Sequence, residues 1–252
     1  MIREDIQWEW QGKNVAVIGL GVSNVPLIRF LKKYGAVVSG RDRKTPSQLG
    51  SNYDLLRDFQ IELQLGEGYL QDLEGYDAVF LSPGVPKYLP QIQALRGCTP
   101  ILSEIALVLR YCPAPIYGIT GSSGKTTTTT LIGEMLRHSG FTTYVGGNIG
   151  KPLIEEMETI PPDAKVVLEL SSFQLEELGI SPHGALVTNI TENHLDIHLT
   201  MENYIEAKRD IYRYQIAQDF AVFNADDPIT MDMADESQSQ VYLFSMTKPV
   251  KR

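Results

Sequence analysis

The run Ile116-Tyr-Gly-Ile-Thr120 passes directly into Gly121-Ser-Ser-Gly-Lys-Thr126 and then into a helical stretch ending near His138. No other feature constrains the fold of this chain as strongly. A buried strand that hands over to a helix through a glycine-rich turn aims several backbone N–H groups at one point, where the helix dipole also favours an anion. Lys125 adds a full positive charge suited to β- and γ-phosphates, and the Thr126 hydroxyl suits the Mg²⁺ that accompanies them. One position departs from the usual phosphate loop: five residues before Gly124 stands Ile119, with glycines at 118 and 121. The strand before and the helix after carry the assignment. Gly121, Ser122, Ser123, Gly124, Lys125, Thr126 and Thr127 are the expected ATP-binding residues. The threonine run 126–130 is β-branched and poor in helix propensity, and beyond Thr127 it is given no chemical role.

On both sides of this loop, short β-branched strands alternate with longer helical stretches, the pattern of a parallel sheet covered on both faces. Strands are expected at 14–19, 36–39, 77–82, 116–120, 142–145, 164–170, 185–189, 220–224 and 241–244, with helices at 26–33, 125–138, 153–158 and 201–215. Pro113-Ala-Pro115 would break a shared helix or central strand. The fold class is therefore α/β: a Rossmann-like parallel-sheet domain over 1–112, then a P-loop NTPase-like central domain over 113–252. The sequence ends at Lys251-Arg252, eight residues after the last strand, so the second domain reads as incomplete.

Composition narrows the function classes. Apolar content of 43% with 21% charged residues is that of a globular protein. A formal charge of −9 argues against a nucleic-acid partner, because phosphate backbones are held by clustered Lys and Arg. It does not argue against small anions, which backbone N–H groups hold inside acidic proteins. Cys98 and Cys112 form neither a metal knuckle nor a disulfide framework. The N-terminus lacks a signal-peptide core and no segment has the apolar length of a membrane span, so a soluble, cytoplasmic protein is expected.

Further candidates lie at other strand ends. Gly19-Leu20-Gly21-Val22-Ser23 follows the first strand like a dinucleotide fingerprint, but Asn24 stands in the third glycine position. A structural turn and a cofactor site are both open readings there. Asp42 sits about where a ribose-binding acid would sit, and Ser82-Pro83-Gly84 would share the same carboxyl edge. Glu169 lies inside an apolar strand, where a carboxylate is costly unless paired or bound to metal. His194 stands between Glu192 and Asp196 after another strand, a grouping that suits a divalent ion. His138 and His183 read as structural, and His198 is undecided. Composition gives no reason to single out Lys208 from Arg209 or Arg213.

Taken together, 120–126, Gly146-Gly-Asn-Ile-Gly150, Leu168-Glu-Leu-Ser-Ser-Phe-Gln-Leu-Glu176, Asn189-Ile-Thr-Glu-Asn-His-Leu-Asp196, Ala207-Lys208 and Asn224-Ala-Asp-Asp-Pro228 resemble the Mur ligases, in order and over essentially the whole chain. Within that family the likeness is to the members that add D-glutamate to UDP-N-acetylmuramoyl-L-alanine through an acyl phosphate, with ATP. The resemblance implies catalytic roles for Lys125, Glu169, His194 and Lys208. Thr126, Glu169, His194 and Lys208 would serve Mg²⁺, with Lys208 carbamylated. It also implies substrate contacts at Gly19, Leu20, Gly21, Val22, Ser23, Asp42, Ser82, Pro83, Gly84, Asn148 and Ser171. A monomer is expected. The family's third, C-terminal domain has no counterpart, so the chain alone is expected to bind its uridine nucleotide without completing ligation. Asn193 replaces the aspartate often seen before the metal-binding histidine. The rival readings are another Mur ligase, a folylpolyglutamate synthase-like ligase, and a non-catalytic nucleotide-binding protein.

Overall fold

The computed structural model describes residues 2–250; Met1 and the terminal Lys251-Arg252 lie outside the described residues. The chain divides into two compact units. One runs through Tyr111 and includes Ile154–Met157; the other comprises Cys112–Leu153 and Glu158 onward.

The first unit begins with α1 (Ile2–Trp10) and β1 (Asn14–Ile18). There follow α2 (Asn24–Lys33), β2 (Val37–Asp42), α3 (Pro46–Leu49), α4 (Ser51–Asp58), β3 (Glu62–Leu65), β4 (Ala78–Leu81), α5 (Pro90–Gln93), β5 (Ile101–Leu102) and α6 (Glu104–Tyr111). The strands form one parallel sheet in the order β3-β2-β1-β4-β5. A central parallel strand is covered on both faces and so reads as a continuous apolar run, and Val15 to Ile18 are fully buried. Helix α2 buries Leu27, Ile28 and Leu31 and ends at Lys33 with Tyr34 as its C-cap, after which Gly35 (φ +84°) takes the left-handed step that stops it. From β1 the chain builds outward on one side, then returns to build β4 and β5 on the other. The switch in direction falls between β1 and β4, where ligands of such sheets sit beyond the carboxyl ends of the strands.

The second unit contains β6 (Ile116–Thr120), α7 (Lys125–His138), β7 (Thr143–Gly147), β8 (Lys165–Glu169), α8 (Ser172–Leu175), β9 (Gly184–Val187), α9 (Leu195–His198), α10 (Met201–Arg209), β10 (Phe220–Asn224), α11 (Pro228–Glu236) and β11 (Gln240–Phe244). Its six parallel strands are ordered β11-β10-β9-β6-β8-β7. Here β6 lies between β8 and β9, so the loop leaving β6 stands at the switch point of this sheet. The molecule is thus an α/β protein with two parallel sheets, the class expected from the sequence. Among the described residues no helix is long and apolar enough to cross a membrane.

Two local expectations are corrected. The helix expected over 153–158 is two short 3-10 turns, Leu153–Glu155 and Met157–Thr159. Ile154, Met157 and Ile160 are all buried, and that spacing of three matches the 3-10 repeat rather than the α-helical one. The helix expected to reach residue 215 ends at Arg209, with Asp210 as its C-cap. The helix expected over 125–138 forms with those bounds despite its threonine run: α7 packs through the fully buried Thr129 and through Gly133, where an added Cβ would lie 2.6 Å from Val145. Tertiary contact overrides propensity there.

Candidate active site

At the switch point of the first sheet, the loop after β1 and the turn after β4 touch. Gly19 has φ +86°, and a Cβ on it would lie 2.7 Å from Ser82 Cβ, so only glycine fits. Asp42, at the end of β2, accepts hydrogen bonds from the N–H of Leu20 (2.7 Å) and of Lys44 (2.8 Å). Asn24, in the third glycine position, donates its side-chain amide to the carbonyls of Ile18 and Gly19. These bonds hold Gly19–Ser23 as a fixed turn with Val22 exposed at its tip. Ser82 donates its N–H to Ile18 O, which fixes the start of the Ser82-Pro83-Gly84 turn beside it. Arg41, adjacent to Asp42, is buried against Gln71 O and the Tyr76 hydroxyl.

In the second unit, Gly121 and Gly124 take backbone angles of φ +143° and +82°. A side chain on Gly121 would lie 1.9 Å from Thr188 Oγ1. Residues 188–191 form a strap beneath the loop. Asn189 accepts the N–H of Ser122 at its carbonyl (2.8 Å) and that of Ser123 at its side chain (3.0 Å), while Thr188 donates to Ser123 O (2.7 Å). The Ser122 hydroxyl bonds Thr191 and the Tyr204 hydroxyl. The amides of Ser122 and Ser123 are thus engaged within the protein. The first turn of α7, at Lys125 to Thr127, offers the N–H groups that no helix start can satisfy internally. The Lys125 ammonium folds over the loop onto the carbonyls of Gly121 (2.8 Å) and Ser122 (3.1 Å).

Beside this helix start, Glu169 at the end of β8 is 2% exposed. Thr126 Oγ1 donates to one carboxylate oxygen (2.7 Å) and the Asn148 amide to the other (2.9 Å). Asn148 also donates its backbone N–H to Glu169 O (2.8 Å). Both donors are neutral, so a desolvated carboxylate has hydrogen bonds but no positive partner among them. That donor set fits a divalent cation. Among the described residues no three His, Cys, Asp and Glu side chains gather into a metal cage. A Mg²⁺ accompanying phosphates needs only one or two protein ligands, because waters and phosphate oxygens complete its shell.

Lys208 on α10 is almost wholly buried, its ammonium 3.3 Å from both Thr120 Oγ1 and Gly121 O and 4.7 Å above the Tyr204 ring. Burial, aided by the nearby Lys125 charge, pulls its pKa down to about 7. His194 is exposed, takes a left-handed backbone angle (φ +54°) as the N-cap of α9, and packs edge-on against Phe173 (5.2 Å).

The model of the Mur ligase middle domain matches residues 119–252, and that of the Mur ligase MurD-like N-terminal domain matches 13–99. The chain belongs to the Mur ligase family. It is 54% identical over 234 residues to UDP-N-acetylmuramoylalanine–D-glutamate ligase of Symbiobacterium thermophilum, covering 92% of this chain and 51% of the relative. Against the protein of the same name from Clostridium kluyveri it is 46% identical over 241 residues, covering 95% and 53%. The chain spans about half the length of the curated relatives it matches. In fold it is similar to UDP-N-acetylmuramate:L-alanyl-gamma-D-glutamyl-meso-diaminopimelate ligase from Neisseria meningitides, with a TM-score of 0.56, 18% identity and coverage of 92% and 78%. UDP-N-acetylmuramate-alanine ligase from Thermotoga maritima gives 0.51 and 21%, with coverage of 94% and 53%.

Several Mur ligase motif residues have structural work that their sequence did not reveal. Ser171 is the N-cap of α8 and forms a capping box with Gln174. Asn224 donates to Thr188 O, and Asp227 both caps α11 and accepts the N–H of Ile190 (2.7 Å). The Asn224–Pro228 segment therefore braces the strap that braces the phosphate loop. An Asp before Pro at a helix start is a capping signal legible in sequence; its second bond, to Ile190, is not. Tyr204 was also missed, since a tyrosine on a helix gives no sign that its hydroxyl reaches Ser122.

Proposed function

We propose that this chain supplies the uridine-nucleotide and ATP sites of an ATP-dependent ligase that adds D-glutamate to UDP-N-acetylmuramoyl-L-alanine in peptidoglycan precursor synthesis. The observation that carries the reading is the buried Glu169 carboxylate, held against Thr126 at the start of α7 with Lys125 on the adjoining loop. The relatives' names supply the acceptor and the amino acid.

A carboxylate is a poor acyl donor because its leaving group would be oxide. In the proposed reaction a carboxylate oxygen of the L-alanyl group attacks the γ-phosphorus of ATP, and ADP leaves. The amine of D-glutamate then attacks the acyl phosphate carbonyl, loses a proton, and phosphate departs. Such chemistry needs positioning and charge neutralisation above all. Lys125 and the first-turn amides of α7 hold the phosphates; Thr126 and Glu169 would hold Mg²⁺, which when bound neutralises phosphate charge. His194 would serve a second Mg²⁺. Lys208 carries an amine that can be neutral near pH 7 and so can react with CO₂, releasing a proton and leaving an anionic carbamate. The turns Gly19–Ser23 and Ser82–Gly84, with Asp42, would take the uridine nucleotide. We place the enzyme in the cytoplasm, acting as a monomer.

The test is calorimetric titration of the chain with a Mg²⁺-bound non-hydrolysable ATP analogue. Binding is expected, and Lys125→Ala should weaken it by about 1.5–3 kcal/mol, the worth of a charge-assisted contact. Equal affinity in the two proteins overturns the reading. A thermal-shift panel of UDP-linked muramoyl precursors identifies the acceptor, because a ligand that binds only the folded state raises its stability.

A further inference from the structure

His198 is 5% exposed, and its ring is fixed on several sides. Nε2 lies 3.0 Å from Ser172 Oγ. One face stacks on Phe173 at 4.9 Å with the planes only 10° apart, and Tyr204 packs beside it at 5.4 Å. Its carbonyl accepts the Asn203 side-chain amide (2.9 Å), which ties it to the first turn of α10. Phe173 also meets the His194 ring, edge-on at 5.2 Å and 62°. A single aromatic ring therefore separates a buried, hydrogen-bonded imidazole from an exposed one.

The backbone around His194 does not fix its ring. Short α9 is bounded by two non-glycine residues in left-handed conformation, His194 at φ +54° and Leu199 at φ +69°. That geometry sets where the imidazole starts, and the ring angle about χ1 and χ2 is left to what packs against it. A histidine that binds metal is usually oriented by a hydrogen bond to its second ring nitrogen. Here the residue before it is Asn193, and the His194 ring packs in a T-shaped pair with Phe173. Filling space alone would be served as well by an apolar ring at 198, which would need no partner. An imidazole bonded to Ser172 adds a fixed ring angle, and stacking passes that angle to Phe173.

We propose that His198 is a positioning residue: anchored by Ser172, it holds Phe173, and Phe173 holds the His194 imidazole in one orientation at the carboxyl edge of the sheet. The Ser172-Phe173 pair within the Leu168–Glu176 motif then serves a site on a different loop. This rests on the reading above, in which His194 serves a divalent ion.

The chain has four histidines, so its ring resonances can be resolved and assigned with ¹³C-labelled histidine. In the ligand-free protein, the His194 Cε1–H signal is expected to carry the ring-current displacement of Phe173. His198→Ala should return that signal toward the position of an unstructured histidine. Ser172→Ala, a change that should leave folding intact by circular dichroism, should move it part of the way. Mn²⁺ added with the ATP analogue should broaden the His194 signal, and His198→Ala should weaken Mn²⁺ binding about ten-fold. A His194 signal that stays in place in both folded variants overturns the positioning role. Absence of Mn²⁺ broadening at His194 in the unsubstituted protein instead removes His194 from the metal site, and the purpose of the positioning falls with it.

Discussion

At the scale of single residues, Lys208 carries the clearest consequence. Buried below Thr120 and above the Tyr204 ring, its amine titrates at about 7 rather than 10.5. Between those values the unfolded chain holds a proton that the folded chain has released. Folding stability should therefore rise with pH across that window and be lost as pH falls through 7. The size is roughly 5 kcal/mol at full development. Urea unfolding at about pH 6 and about pH 9 should show this rise in the parent protein and a much smaller one in Lys208→Met. Equal slopes in the two proteins would mean that the amine is not desolvated. Incubation with ¹³C-bicarbonate at neutral pH should give a carbamate resonance that the variant lacks. Nothing around Lys208 in the sequence marks it out, because burial of a helical lysine is decided by what packs on it from distant segments. Glu169 was legible for the opposite reason: its apolar neighbours in the chain announce the desolvation. The glycine loop was legible too, since its backbone needs are local. The bonds by which Asn189, Asn224, Asp227 and Tyr204 hold that loop reach it from far along the sequence and left no local trace.

At the scale of elements, the start of α6 holds a strained charge. Glu104 is buried in the first unit with the Ile154 N–H (3.3 Å) as its described hydrogen-bond donor, and burial pushes its pKa up to about 7 from 4.5. Its folded form binds a proton that the unfolded form gives up, so its stabilising effect is complete below 4.5 and is lost as pH rises through 7. Glu104→Gln keeps an oxygen acceptor for Ile154 and removes the charge. The variant should be more stable than the parent by about 2–3 kcal/mol at about pH 8, and nearly unchanged at about pH 5. Thermal melts at the two pH values check this; a destabilised variant at the higher pH would refute it. Which elements could be foreseen follows the same division between local and distant causes. Central strands β1, β6 and β8 are covered on both faces and read as apolar runs. Edge strand β3, Glu-Leu-Gln-Leu and only half-buried, and two-residue β5 carry too little pattern to be recognised. The segment 153–158 was misread because its three-residue apolar spacing is close to that of an α-helix.

At the scale of the whole molecule, two parallel sheets each place a glycine turn at their own switch point, and the two turns are braced by different side chains. The Gly19 turn is clasped by Asp42 and Asn24 against Ser82. The Gly121–Thr126 loop is clasped by residues 188–191 and faces Glu169. The Pro113-Ala-Pro115 break signalled that two units were present, and the strand order within each could not be read, because pairing of parallel strands depends on contacts across long crossovers. If the proposed function holds, each ligand should restrain its own turn. Hydrogen exchange read by mass spectrometry should show UDP protecting peptides that cover 18–24 and 82–84, with 120–127 unaffected. ADP with Mg²⁺ should do the reverse and also slow exchange at 146–148, since Gly147 and Asn148 lie on the backbone of Glu169. Ligand binding stabilises only the states that bind, so protection confined to one turn locates the site without any assay of turnover. That matters for a chain spanning about half of its relatives' length. UDP protection at 120–127 in place of 18–24 would assign the uridine nucleotide to the wrong sheet and undo the division of labour proposed for the two turns.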